Sequence, residues 1–164
     1  MGMESYYITL NVKNLKSNDD IAQLFKQKYN VSNYKMPSGK LFKRHVVDAS
    51  RFVIDNKAVV TIAIMQNTAD ITFELCFSNY ESNLSYIYNV AKWVSSLGKT
   101  TLIKVLNSEY DFSNLDYDKF KDIISESFSN KFYQFNKRYG QINADILPHD
   151  FYNWMRRTGL NRKI

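Results

Sequence analysis

The sequence contains few of the residues that build metal sites and disulfides. Its 164 residues include a single cysteine, Cys76, and two histidines, His45 and His149. A single cysteine excludes a disulfide within the chain and any cysteine-rich zinc site, and it suits a reducing compartment. The histidines lie about a hundred residues apart, without the spacing of a zinc hydrolase or a histidine-dependent nuclease. We therefore expect no metal and no cofactor.

Long apolar runs are also missing. No stretch reaches the roughly 18 apolar residues of a membrane helix, and the N-terminal MGMESYYITL lacks the basic and apolar regions of a signal peptide. Proline occurs twice and glycine five times, whereas Asn, Lys, Ile, Tyr and Phe, which have AT-rich codons, are abundant. We expect a soluble, cytoplasmic protein with no membrane partner, encoded by an AT-rich genome such as that of a phage or mobile element.

No motif in the sequence carries a specific catalytic chemistry. Gly98-Lys99-Thr100 resembles the end of a phosphate-binding loop, but Trp93 stands where that loop needs its first glycine. Asp55-x-Lys57 resembles the carboxylate-x-lysine element of metal-dependent nucleases, although Asp beside a turn is usually a solvated turn former. Because Cys76 lacks a paired base, we expect it to be an inert core residue. We assign no catalytic residue and lean towards a protein that is not an enzyme.

The chain is organised around its most apolar stretch, residues 58–77. Residues 58–65 (AVVTIAIM) form a nearly unbroken apolar run, which predicts a strand buried on both faces. A turn-prone break follows at 66–70, and apolar and polar residues then alternate, which predicts a strand with one wet face. The expected inward residues of this second strand are Ile71, Phe73, Leu75 and Phe77. Together the two strands predict a β-hairpin at the centre of a sheet.

Four other segments complete the expected fold. Alternation predicts a first strand over about 4–13, and a polar cap with helical spacing predicts a helix over 18–30. A capping box at Ser78–Glu81, or Ser82 itself, is expected to start a mostly buried helix that ends at Leu97. A β-branched strand follows at 100–106.

Without the excursion at residues 31–55, the order is βαββαβ. This order predicts a ferredoxin-like α+β fold, in which two helices cover one face of a four-stranded antiparallel sheet. In an alternative that stays open, residues 41–54 add one or two strands to a larger sheet. The order identifies no family, because it serves many functions.

The final third of the chain is expected to be helical. Residues 113–116 predict a helix cap, and apolar residues at spacings of three, four and seven predict a long helix that ends at Gly140. Pro148 is expected to open a last short helix, with Gly159 beyond it. We interpret residues 1–164 as one domain, in which 1–108 form the sheet with two covering helices and 109–164 form a C-terminal helical extension packed on it.

The charge of the chain is basic, with a formal net charge of +6 and an isoelectric point near 9.3. Such a charge permits contact with nucleic acid or with an acidic protein surface. The basic residues concentrate in the excursion, where aromatic residues lie between them, and near residue 160. The candidate partner-binding or nucleic-acid-binding residues are Lys35, Lys40, Lys43, Arg44, Arg51, Arg156, Arg157, Arg162 and Lys163.

Three function hypotheses follow from these observations. The one that we favour is a non-enzymatic binding protein that modulates or inhibits a host protein or nucleoprotein. The second is a basic nucleic-acid-binding protein that contacts phosphates through residues 35–51 and 156–163. The expected outer face of the second hairpin strand shows Thr72, Glu74 and Cys76 instead of aromatic rings, which argues against binding of bases by stacking on the sheet. The third hypothesis is a small metal-dependent nuclease.

Overall fold

The computed structural model describes residues 4–13, 18–34, 49–65, 68–97 and 99–160. Within these ranges the chain forms a mixed α+β fold with a seven-stranded antiparallel sheet and four α-helices. The strands are β1 Ser5–Lys13, β2 Val31–Asn33, β3 Ala49–Ile54, β4 Ala58–Met65, β5 Thr68–Cys76, β6 Lys99–Val105 and β7 Ser108–Asp111. The helices are α1 Asn18–Lys28, α2 Tyr80–Ser96, α3 Tyr117–Tyr139 and α4 Phe151–Thr158.

The strands lie in the order β2-β3-β4-β5-β1-β6-β7. The four strands of the expected βαββαβ series are neighbours in the middle of this sheet. A ferredoxin-like arrangement is not shown, however, because the sheet has seven strands instead of four. The sheet is extended on one side by β3 and β2 and on the other side by β7. β3 is a strand of the kind that the alternative prediction expected from residues 41–54.

The predicted central hairpin is present as β4 and β5. Its ladder runs from the pair Ala58–Leu75 to the pair Met65–Thr68. In β5, Ile71 and Phe73 are fully buried while Thr72 between them is partly exposed, as the alternation predicts. The expected burial of β4 on both faces holds for only part of the strand. On its second face Val59 is buried, whereas Thr61 and Ala63 are partly exposed.

Two helices cover the apolar face of the sheet. Phe25 of α1 is fully buried, and its ring centre lies 5.3 Å from that of Phe52 on β3. It also lies 4.9 Å from Trp93 of α2 in an edge-to-face arrangement, which aromatic pairs prefer over a face-to-face one. The two helices therefore share one core with the sheet.

The N-terminus of α2 differs from the prediction. Its N-cap is Asn79, with a φ of 51°, and no side chain caps the helix there, so the expected cap by Ser78 or Ser82 is wrong. Asn79 instead contacts the segment before α4. Its backbone N–H donates to the carbonyl of Ile142, and its amide donates a 2.7 Å hydrogen bond to Asp145. The turn before α2 thus holds the chain that leads to α4.

The C-terminal helices are anchored by buried aromatic residues. At the start of α3, the Asp116 carboxylate accepts a hydrogen bond of 2.9 Å from the backbone N–H of Lys119, which satisfies one of the free donors there. Phe135 of α3 lies 5.7 Å from Phe77 and 5.4 Å from Phe151 of α4, measured between ring centres.

None of the described helices is long and apolar enough to cross a membrane.

Candidate binding surface

The second face of the sheet is divided between a covered end and a polar end. At the covered end, Leu147 packs on Val53 and Val59 in a small apolar cluster. At the polar end, the hydroxyls of Thr9 and Thr72 lie 2.9 Å apart, and the amide of Asn11 donates a 2.7 Å hydrogen bond to Asp70. These cross-strand pairs satisfy the polar groups of neighbouring strands.

Arg51 on β3 is one of the predicted contact residues, and the structure shows it already paired. Its guanidinium lies 3.0 Å from a carboxylate oxygen of Glu74 and 4.1 Å from the centre of the Tyr34 ring. An ion pair and a cation–π contact both hold this side chain along the sheet. Arg51 therefore has less capacity for a partner than an unpaired arginine would have.

Tyr34 connects the start of the basic excursion to the segment before α4. Its ring lies 4.8 Å from the imidazole of His149, edge to face. The pKa of Tyr34 is raised, mainly by burial and further by Glu74 and Asp150, while the charge of Arg51 opposes the shift. The described chain stops at Tyr34 and resumes at Ala49, the first residue of β3. Tyr34, the last described residue before this gap, therefore adjoins the segment that leads into α4.

α4 has a buried side and a charged side. Phe151 and Met155 are buried, whereas Asn153, Arg156 and Arg157 are exposed. The exposed residues recur at spacings of three and four, which places them on one side of the helix.

An open cleft of about 550 Å³ lies along the charged side of α4, and we call it the α4 cleft. Its described lining residues are Asp150, Asn153, Arg156 and Arg157.

The two arginines of the α4 cleft differ from Arg51 in their pairing. Neither forms an ion pair with any carboxylate in the described ranges. Arg156 donates a hydrogen bond to the side-chain oxygen of Asn153. Asp150, the one acid among the described lining residues, lies 3.5 Å from the Nε2 atom of His149. The described part of the cleft lining therefore has an excess of positive charge.

The first turn of α4 is tied to the beginning of β1. The hydroxyl of Tyr152 donates a 3.0 Å hydrogen bond to the carboxylate of Glu4, which is itself buried. Nearby, the Lys131 ammonium of α3 donates to the carbonyl of Ser5, and burial lowers the pKa of this lysine. Because these contacts join three elements, they fix α4 relative to the sheet.

The acidic residues that suggested a nuclease lie in structural contacts. The Asp55 carboxylate accepts hydrogen bonds from the backbone of Asn30 and the hydroxyl of Tyr86, at 2.9 and 2.8 Å. Lys57 forms an ion pair with Asp145 at 3.3 Å. Among the residues that the structure describes, no three His, Cys, Asp or Glu side chains are grouped as metal ligands would be.

Several predicted contact residues lie outside the described ranges, namely Lys35, Lys40, Lys43, Arg44, Arg162 and Lys163, together with His45. The structure describes Arg51, Arg156 and Arg157, and it adds residues that the sequence did not suggest. Tyr34, His149 and Asn153 belong to no motif. The contact between Tyr34 and His149 joins segments more than a hundred residues apart, which local sequence patterns do not report.

Comparisons with known proteins give no family assignment. No protein-family model, no curated protein and no solved structure matches this chain. Support for a function therefore comes from the α4 cleft and the residues around it.

Proposed function

We propose that the protein is a non-enzymatic binding protein that modulates or inhibits a host protein or nucleoprotein, as expected for a product of a phage or mobile element. The observation that carries this proposal is the pair Arg156 and Arg157. These arginines line an open cleft without an ion-pair partner among the described residues, on a helix whose other side is anchored in the core. Such a surface fits an acidic partner.

The anchoring of α4 supports a role in binding. Phe151 is fully buried, and its ring lies 5.0 Å from that of Tyr139 and 5.4 Å from that of Phe135. A helix fixed in this way loses little further freedom when a partner binds, so more of the interaction energy appears as affinity. The charged side of α4 is therefore presented on a rigid support.

The polar residues of the hairpin also favour binding over catalysis. Asp70 accepts a hydrogen bond from Asn11, and Glu74 is paired with Arg51. Burial raises the pKa of the Cys76 thiol to about 11, which keeps it protonated and poorly nucleophilic at neutral pH. The pairing of the two carboxylates and the burial of the thiol therefore have structural roles that require no catalytic function.

A capture experiment tests the proposal. The purified protein would be used to capture partners from a lysate of a low-GC bacterium, with and without nuclease treatment. We expect a partner that binds the parent protein and is lost when Arg156 and Arg157 are both replaced by Glu. The control is Arg138→Glu on α3, an exposed arginine outside the cleft, which should leave capture unchanged. Equal capture by the parent and the double variant would contradict the proposal.

Direct binding of nucleic acid is the second candidate function. It is favoured by the Tyr34–His149 contact, which places the residue before the most basic part of the excursion next to the segment that leads into α4. If the predicted residues contact phosphates, affinity should fall steeply with salt, and the log–log slope should decrease by about one unit for each contact removed. Fluorescence anisotropy with single- and double-stranded oligonucleotides at two salt concentrations measures this slope. Submicromolar binding that Lys43→Glu with Arg44→Glu abolishes would favour this candidate.

A further inference from the structure

We infer that the α4 cleft is a receptor for carboxylate groups carried by an acidic segment of a protein partner. This inference rests on the proposed function and names the chemistry by which the partner is recognised. The relevant side chains are those of Asn153, Arg156 and Arg157, with Asp150 at the cleft as well.

Hydrogen-bond donors outnumber acceptors among the described lining residues of the cleft. A guanidinium has five N–H donors and no acceptor, so Arg156 and Arg157 present only donors. Because Arg156 donates to the side-chain oxygen of Asn153, one of the two acceptor positions of that oxygen is occupied, while the NH₂ group of Asn153 can act only as a donor. The complement of such a surface is a ligand with acceptors only, and a carboxylate is one.

The geometry of two arginines suits this ligand. Guanidinium groups bind carboxylates through two parallel N–H···O bonds, which a lysine ammonium cannot reproduce. Positions 156 and 157 lie on the last turn of α4, and both follow Asn153 at helical spacing. Two neighbouring acidic side chains of a partner could therefore each meet one guanidinium.

The small extent of the positive charge among the described lining residues favours a short acidic peptide segment over a nucleic acid. Among the described lining residues, two are arginines and one, Asp150, is an acid. A nucleic-acid backbone needs a positive track along its length, often with aromatic rings for its bases. The described cleft has two arginines and one acid, which is a local site instead of a track.

The test compares two ligands of equal charge. A fluorescently labelled oligo-glutamate peptide and a labelled single-stranded oligonucleotide would be titrated with the full protein at physiological salt. We expect the peptide to bind more tightly than the oligonucleotide. Replacing Arg156 and Arg157 with Lys keeps the charge but removes paired hydrogen bonding, and it should weaken peptide binding by about tenfold.

A second variant changes the cleft in another way. Asn153→Asp places a carboxylate beside Arg156, where it competes with the ligand, and should also weaken peptide binding. The control Arg138→Lys should leave the affinity unchanged. Circular dichroism and the Tm would verify that each variant folds, which is expected because the three replaced residues of the cleft are exposed.

The results separate this inference from the proposed function. Peptide binding that is unchanged in the double Lys variant, or no peptide binding by the parent protein, would overturn the carboxylate inference. The capture experiment could still succeed in that case, and the proposed function would then stand alone. Tighter binding of the oligonucleotide, lost in the double Lys variant, would overturn the inference in favour of phosphate recognition.

Discussion

The hydroxyl of Tyr86 donates a 2.8 Å hydrogen bond to the carboxylate of Asp55, which joins α2 to the turn between β3 and β4. Asp55 and Asn56 have φ values of 47° and 54°, a conformation that Asp and Asn tolerate better than most residues. The same carboxylate accepts from the backbone N–H of Asn30. One side chain thus links the turn, the helix and the entry to β2.

Loss of this hydrogen bond should destabilise the protein. We expect Tyr86→Phe to lower the free energy of unfolding by about 1–3 kcal/mol, because hydrogen bonds to charged groups are stronger than neutral ones. Urea denaturation would measure the change. Tyr133→Phe is a matched control, since that ring is 61% exposed, and it should alter the stability little. If Tyr86→Phe changes the free energy of unfolding as little as the control does, the hydrogen bond makes no net contribution to stability.

The buried centre of the hairpin should be the most sensitive position. Phe73 on β5 is fully buried, and its replacement by Ala should cost roughly 3–5 kcal/mol. Trp93 is only partly buried at the edge of the core, so we expect Trp93→Ala to cost less. Denaturation midpoints of both variants within error of the parent would contradict a core built around the central hairpin.

Tyr6 should make the protein sensitive to alkaline pH. Its hydroxyl is buried without a hydrogen-bond partner in the described ranges, and burial raises the pKa of Tyr6 well above 10.0, with Tyr80 and Cys76 adding to the shift. Because the pKa of Tyr6 is higher in the folded state, the unfolded state ionises first as the pH rises. The free energy of unfolding should therefore be unaffected by Tyr6 below pH 10 and should fall as the pH rises above 10.

The variant Tyr6→Phe should therefore have two effects. At neutral pH we expect it to raise the free energy of unfolding by about 1 kcal/mol, because an unpaired buried hydroxyl is removed. Above pH 10 its advantage over the parent should grow, since phenylalanine does not ionise. Urea denaturation at both pH values would measure these differences, and a parallel decline of the two proteins would refute the role of Tyr6.

Cys76 should be unreactive while the protein is folded. It is fully buried, and burial raises the pKa of its thiol to about 11, so the thiolate is scarce at neutral pH. We expect an aromatic disulfide reagent to modify Cys76 only at the rate at which the protein opens. In urea, modification should be fast. Rapid modification under native conditions would show that the thiol is accessible.

The long periodic segments could be predicted from the sequence, whereas the short strands could not. β1, β4 and β5 have eight or nine residues each, enough for apolar alternation to be recognised. β2 has three residues and β7 has four, so neither contains a full pattern. The turn before β7 also has an unexpected residue, because Leu106 adopts a φ of 54° where glycine or asparagine would be typical.

The candidate site was predicted only in part. Clustered basic residues pointed to Arg156 and Arg157, which do line a cleft. The same argument selected Arg51, but its pairing with Glu74 depends on the register between β3, β4 and β5, which the sequence did not specify. The Tyr34–His149 contact depends on the path of the whole chain from β2 to α4.

The position of β1 has a consequence for the rate of folding. β1 precedes its two partners in the chain, and its ladders pair Lys13 with Thr68 and Thr9 with Lys104. Closing such long loops costs entropy before any contact is gained, so sheets of this kind fold in about milliseconds to seconds instead of microseconds. During synthesis one edge of β1 stays unpaired until Lys104 has left the ribosome, and in that interval we expect the nascent chain to be prone to aggregation through this edge.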